Sequence, residues 1–118
     1  MIGRWHGLII DCPDPSALAS FYSQLLGMQR IQDDESWVVI GDSPDRPGIA
    51  FQLAPDFRPP TWPDPATPQQ LHLDVRVDEL DQAEREVLAL GARPLPGGGE
   101  TFRVYADPAG HPFCLVSF

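Results

Sequence analysis

Basic residues, cysteine and long apolar runs are all scarce in this chain of 118 residues. Lysine and arginine together number 8 against 17 acidic residues, for a formal charge of −9. Such a surface repels phosphate backbones and anionic headgroups, so neither nucleic acid nor a membrane surface is an expected partner. Two cysteines are too few for a disulfide framework and point to a reducing cytoplasm. No apolar run approaches the length of a membrane span, and the first residues lack a basic-then-apolar leader pattern. The length suits one domain, able to bury ~two thirds of its extended-chain surface, and excludes a multidomain enzyme.

Proline, by contrast, is plentiful. Six of the 14 prolines fall at positions 55, 59, 60, 63, 65 and 68. That density disfavours helix and central strand and predicts an extended connector over 55–68. The connector carries Phe57 and Trp62. It reads either as a lid over a site or, more plainly, as a stiff linker with incidental aromatics.

On either side of the linker the same pattern occurs. Arg4–Asp11 is mostly apolar and reads as a strand, and Asp14-Pro15 starts a helix. Leu18, Phe21, Tyr22, Leu25 and Leu26 recur at three- and four-residue spacing, and Gly27 ends the helix. Met28–Gln32, Ser36–Ile40 and Gly48–Leu53 then predict three antiparallel strands. After the linker, Leu71–Val77 alternates, with Leu71, Leu73, Val75 and Val77 on one face and His72, Asp74 and Arg76 on the other. Asp78 is the expected cap of a second helix, striped by Leu80, Ala83, Val87 and Leu90 and ended by Gly91. Strands are expected over Arg93–Leu95, Thr101–Ala106 and Pro112–Phe118. His6 lies 21 positions before Gly27 and His72 lies 19 before Gly91, as two diverged βαβββ units would have it.

These residues carry a family resemblance. His6, Phe21-Tyr22 with Leu25-Leu26-Gly27, His72, and the turn Asp107-Pro108-Ala109-Gly110-His111 resemble the vicinal oxygen chelate superfamily of glyoxalase I, bleomycin-resistance proteins and extradiol dioxygenases. The resemblance covers essentially the whole chain. It implies an α+β fold of two βαβββ modules whose curved mixed sheets form a cup: module 1 over 1–54, linker 55–68, module 2 over 69–118. It also implies metal ligands at His6, Gln52, His72 and Cys114, the last standing where many members have glutamate.

Taken on their own chemistry, two imidazoles, an amide oxygen and a thiolate suit a divalent ion such as Zn, Ni or Fe, thiolate favouring zinc over Mg²⁺ or Ca²⁺. The alternative makes the histidines hydrogen-bonded cavity residues and Cys114 a small buried hydrophobe. A glyoxalase-type isomerisation needs a base, for which Asp74 is the candidate, although pairing with Arg76 or an imidazole is its plainer role. Iron oxygenase chemistry wants two histidines and a carboxylate, so a dioxygenase fits less well.

Leu8 and Ile10, expected beside His6, together with Arg76, Trp37, Phe57, Trp62, Arg103 and Tyr105, are the candidate ligand-binding residues. Gly97-Gly98-Gly99 reads as a hairpin loop, His111 as a solvent-facing turn residue and Asp78–Glu86 as a solvated face. Two functions stay open: a glyoxalase-like lyase or isomerase for a small oxygen-bearing metabolite, or a non-catalytic binder of an antibiotic or aromatic ligand. A cytoplasmic homodimer is expected, because a chain of this size offers sheet edges that pairing would cover.

Overall fold

The computed structural model describes all 118 residues, which divide into two compact units, Met1–Phe57 and Arg58–Phe118. Unit 1 contains β1 (Leu8–Cys12), α1 (Pro15–Leu26), β2 (Gln29–Asp34), β3 (Trp37–Ser43) and β4 (Arg46–Leu53). Its sheet has the order β1-β4-β3-β2, with β1 parallel to β4 and the other pairs antiparallel. The Asp14 carboxylate caps α1 by accepting from Ala17 N at 3.1 Å, and Gly27 stops it in the left-handed conformation, φ 69°.

The apolar stripe of α1 then has somewhere to go. Leu18, Ala19, Phe21 and Tyr22 are buried, and Tyr22 stacks on Phe51 of β4 with ring centroids 5.7 Å apart. Ile10 and Val38 flank Phe51 in the sheet and are fully buried with it. Each such side chain contributes ~1.5–3 kcal/mol by leaving water. β1 starts at Leu8 rather than at Arg4 as the sequence led us to expect. Its partner strand β4 runs back from Ile49 into Gly48 and Pro47, and proline has no N–H for a ladder.

Unit 2 repeats the path with β5 (Leu73–Arg76), α2 (Leu80–Ala89), β6 (Arg93–Pro94), β7 (Phe102–Ala106) and β8 (Pro112–Val116), in the sheet order β5-β8-β7-β6. Here too the first strand runs parallel to the last. Tyr105 and Phe113 stack at 5.6 Å on the face that meets α2. The expected cap Asp78 gives way to Glu79, whose carboxylate accepts from Asp81 N and Gln82 N. Val77 N still donates to Val116 O, so the chain leaves the sheet too late for Asp78 to serve. The α+β fold of two βαβββ units is as the sequence implied.

Candidate functional site

β5 and β8 bring three chemically distinct donors together in unit 2. Asp74 and Cys114 are register partners in the parallel pair, so their side chains lie side by side. Leu73 and Val75, beside Phe113 and Leu115, turn toward α2, which leaves Asp74 and Cys114 on the opposite face. His72 precedes β5 and sets its Nε2 3.7 Å from Asp74 Oδ1. One ligand atom from each of His72, Asp74 and Cys114 lies within 4.8 Å of the others. Donors on one tetrahedral zinc ion at ~2.0–2.3 Å stand ~3.3–3.8 Å apart, so side-chain movements of about an ångström would bring this N, O and S set onto one ion. Burial raises the Cys114 thiol pKa, and the neighbouring Asp74 carboxylate raises it further. A metal-free Cys114 is therefore held as the neutral thiol.

Cys114 and His72 border a cavity of about 320 Å³. Trp62, Phe102, Val104 and Pro112 supply its apolar walls, and Gln69 with the loop Gly97-Gly98 completes it. Cys114, Val104 and Val116 form a small apolar cluster on which Trp62, Leu95 and Phe102 pack. The proline segment is thus tied down rather than loosely extended. Trp62 Nε1 donates to Pro96 O at 2.7 Å, Thr61 N to Thr67 O at 2.8 Å, and Thr67 N to Thr61 Oγ1 at 2.8 Å. Gly97 has φ 111°, a conformation L side chains avoid, and a Cβ there would sit 3.5 Å from Val104 Cγ2 and 4.0 Å from Trp62 Cζ2. The glycine loop therefore forms part of the cavity wall.

Unit 1 has its own cavity, of about 360 Å³, bordered by His6, Leu8, Ile9, Gln32, Trp37, Val39 and Ala50 among others. His6, Leu8 and Trp37 lie there as candidates, but Ile10 does not. It is fully buried beside Phe51 under α1, and the open-face residue of β1 is Ile9, 46 % exposed. Of the expected face His6, Leu8 and Ile10, the first two reach the cavity, whereas Ile10 turns under the helix. Gln52 is exposed at the end of β4, and the residues around the unit 1 cavity do not include it. Phe57 is half-buried and borders neither cavity.

Three further expectations are corrected in unit 2. Arg103 and Tyr105 share a strand face, but it is the face under α2. Arg103 bonds Asp81 at 2.8 Å and Glu84 at 3.1 Å, and Tyr105 Oη donates to Glu84 at 2.9 Å. Burial, then the Glu84 carboxylate, pushes the Tyr105 pKa up to about 12. The acidic side of α2 is therefore only partly solvated. Arg76 is exposed and borders a polar hollow beside Asp78, Glu79 and Gln82 instead of the His72 cavity. His111 is buried, held in a turn where Asp107 Oδ1 accepts from Ala109 N, Gly110 N and His111 N.

Sequence reasoning missed Gln69, Phe102 and Val104. The alternation of β7 carried a signal for the last two, since they interleave with Arg103 and Tyr105 on the other face.

The glyoxalase-like domain family matches residues 7–116. A glyoxalase/bleomycin resistance protein/dioxygenase family enzyme from Burkholderia phytofirmans is 19 % identical, with a TM-score of 0.73 over 95 % of this chain and 96 % of that one. A protein described as a possible glyoxalase from Bacillus cereus is 12 % identical, with a TM-score of 0.70 over 98 % and 99 %. The fosfomycin resistance protein FosX from Listeria monocytogenes, as a mutant complexed with Mn(II) and a dihydroxypropylphosphonic acid, is 15 % identical, with a TM-score of 0.69 over 99 % and 93 %. At these identities the solved structures bear on fold alone. No curated protein matches the chain.

Proposed function

The chain belongs to the glyoxalase-like domain family, and on that premise we propose that it acts on a small oxygen-bearing organic metabolite in the unit 2 cavity, with a divalent ion held by His72, Asp74 and Cys114. The convergence of these three donors at the edge of an apolar cavity carries this reading. The thiol favours zinc over the manganese of the Listeria relative, because sulfur is a soft ligand. When bound, such an ion polarises a ligand oxygen as a Lewis acid. Trp62 and Phe102 shield the ligand from water and hold its apolar part. With Asp74 and His72 engaged, the cavity lining of unit 2 offers no other carboxylate or imidazole as a base. Within that unit the arrangement suits polarisation of a ligand oxygen better than proton abstraction by a side chain.

A second reading is retention of an aromatic compound without turnover, as in bleomycin-resistance-type proteins. The apolar lining and the Trp62 wall favour it. Both readings take the chain as a cytoplasmic homodimer; the cytoplasm suits two cysteines outside any disulfide, and a monomeric mass at micromolar concentration would sink the dimer.

Elemental analysis of tag-free protein purified without chelator separates the readings. The metal reading expects near one equivalent of zinc, nickel or iron per chain, lost in His72→Ala. No metal after dialysis against excess divalent ions would overturn it and leave the binding reading.

A further inference from the structure

Gln69 borders the unit 2 cavity beside His72 and Cys114, and its Oε1 is buried and accepts no hydrogen bond. A buried acceptor without a donor costs more than an average hydrogen bond contributes, so such atoms are rare unless something else satisfies them. The side chain is not on a loose strand end. The paired hydrogen bonds between Thr61 and Thr67 close the loop two residues before it, and the Trp62 indole pins that loop to Pro96. The terminal torsion of a glutamine amide is broad, so rotation of the amide alone can turn the oxygen toward the cavity. Of the other polar side chains at this place, the Trp62 indole N–H is already bonded to Pro96 O, and the rest belong to the His72, Asp74 and Cys114 cluster.

We propose that Gln69 is a specificity-determining anchor of this cavity. It accepts a hydrogen bond from an O–H or N–H of the ligand, which is therefore a small compound with an apolar, ring-sized body and at least one such donor. The inference rests on the reading of this cavity as a small-molecule site. The volume of about 320 Å³ lies near the lower end of the range for ligand pockets, ~300–1,000 Å³, and suits a body of one or two rings. A compound alike in shape but lacking the donor would leave the amide oxygen unpaired and bind more weakly.

The test uses 4-fluorophenol and 4-fluoroanisole, which share a ring and an oxygen but differ in the donor. Their affinities are read by ¹⁹F line broadening on metal-free protein, and the Trp62 indole N–H signal reports where they bind. Wild type is expected to hold the phenol about five- to tenfold more tightly than the ether, the range of one hydrogen bond. Gln69→Leu should bring the phenol down to the affinity of the ether, while Gln69→Glu, which keeps an acceptor, should retain the preference. A phenol preference that survives Gln69→Leu, or is absent from wild type, overturns the role of Gln69 but leaves the cavity as a site. Failure of both compounds to move the Trp62 signal overturns the cavity reading and this inference with it.

Discussion

The two units follow one backbone plan and use it for different chemistry. In unit 1 the parallel pair of first and last strands runs Leu8 with Ile49, Ile9 with Ala50 and Ile10 with Phe51. In unit 2 the same ladder runs Leu73 with Phe113, Asp74 with Cys114 and Val75 with Leu115. The outer two pairs of each triplet are apolar in both units, and all but Leu8 with Ile49, which border the unit 1 cavity at the end of the ladder, face the helix. The middle pair faces away, and there Ile9 and Ala50 stand where the other unit has Asp74 and Cys114. The helix-facing positions are constrained because they fill the layer between sheet and helix, whereas the middle pair is free to change with whatever occupies the open face.

The helices differ in the same instructive way. α1 buries Phe21 and Tyr22, with Tyr22 stacked on Phe51. Of α2 only Ala83 and Val87 are buried, and a polar latch from Arg103 and Tyr105 to Asp81 and Glu84 joins it to the sheet. The first docking is mainly apolar, with Arg30 of β2 donating to Ser16 O and Ser20 Oγ at its exposed edge; the second is partly electrostatic within the layer.

The parallel is tested most severely in the shared layer. Phe51→Ala and Phe113→Ala each remove a fully buried ring that stacks on a tyrosine of its own unit, and each is expected to cost about 3–5 kcal/mol in urea unfolding. A much smaller cost in unit 2 would break the equivalence of the two cores.

The contrast in the middle pair is tested by metal affinity. Cys114→Ser and Asp74→Asn are each expected to weaken zinc binding by more than the ~10–100-fold that loss of an outer-shell partner costs, as read by competition with a chromophoric chelator. Placing Ile9→Asp with Ala50→Cys in unit 1, together with His6→Ala to remove the imidazole that borders the same cavity, supplies two donors without a third. It should create no comparable site, and tight binding there would show that the strand pair alone suffices.

Next in size is the latch. Glu84→Ala leaves the Tyr105 hydroxyl without its acceptor, and a loss of about 1–3 kcal/mol is expected, mostly from that buried hydroxyl because the ion pair with Arg103 is partly exposed. The latch is also pH-dependent. The Tyr105 pKa is raised from 10.0 to about 12, so the fold favours the neutral phenol. That contribution is complete below pH 10 and is lost as pH rises toward 12. In Tyr22→Phe, where Tyr105 is the remaining tyrosine, absorbance at ~295 nm should report ionisation near pH 12, falling toward 10 once the chain unfolds.

The smallest effect concerns Cys114. In metal-free Cys12→Ala, iodoacetamide alkylation should still be accelerating above pH 9.0, the ordinary thiol value, because burial and then Asp74 raise the pKa. Asp74→Asn should shift that profile to lower pH, and an unmoved profile would show that the carboxylate does not act on the thiol.

Much of this was legible in the chain. The Asp14 cap, the Gly27 stop and the Leu18–Tyr22 stripe are local signals, and they define α1 as found. Alternation over Leu71–Val77 separated His72 and Asp74 from the helix-facing set correctly. The same rule failed at Ile10 because alternation divides a strand into two faces without saying which one a helix will cover. It failed again at Arg103 and Tyr105, whose shared face meets α2 only through the register of β7 on β8. Gln69 had no signal, being a polar residue in an irregular segment whose place depends on hydrogen bonds between Thr61 and Thr67 and from Trp62 to Pro96.

By itself, then, the sequence determined the two βαβββ units and the boundaries of α1, since caps, periodicity and turn residues act over a few positions and need no distant partner. Tertiary structure decided which strand faces are open, that Asp74 joins His72 and Cys114, and that Trp62 and the glycine loop wall the cavity. The physical reason is that each of these depends on strand register between residues some 40 positions apart, as from Asp74 to Cys114. Register is set by the packing of the whole layer, which no local run of residues encodes.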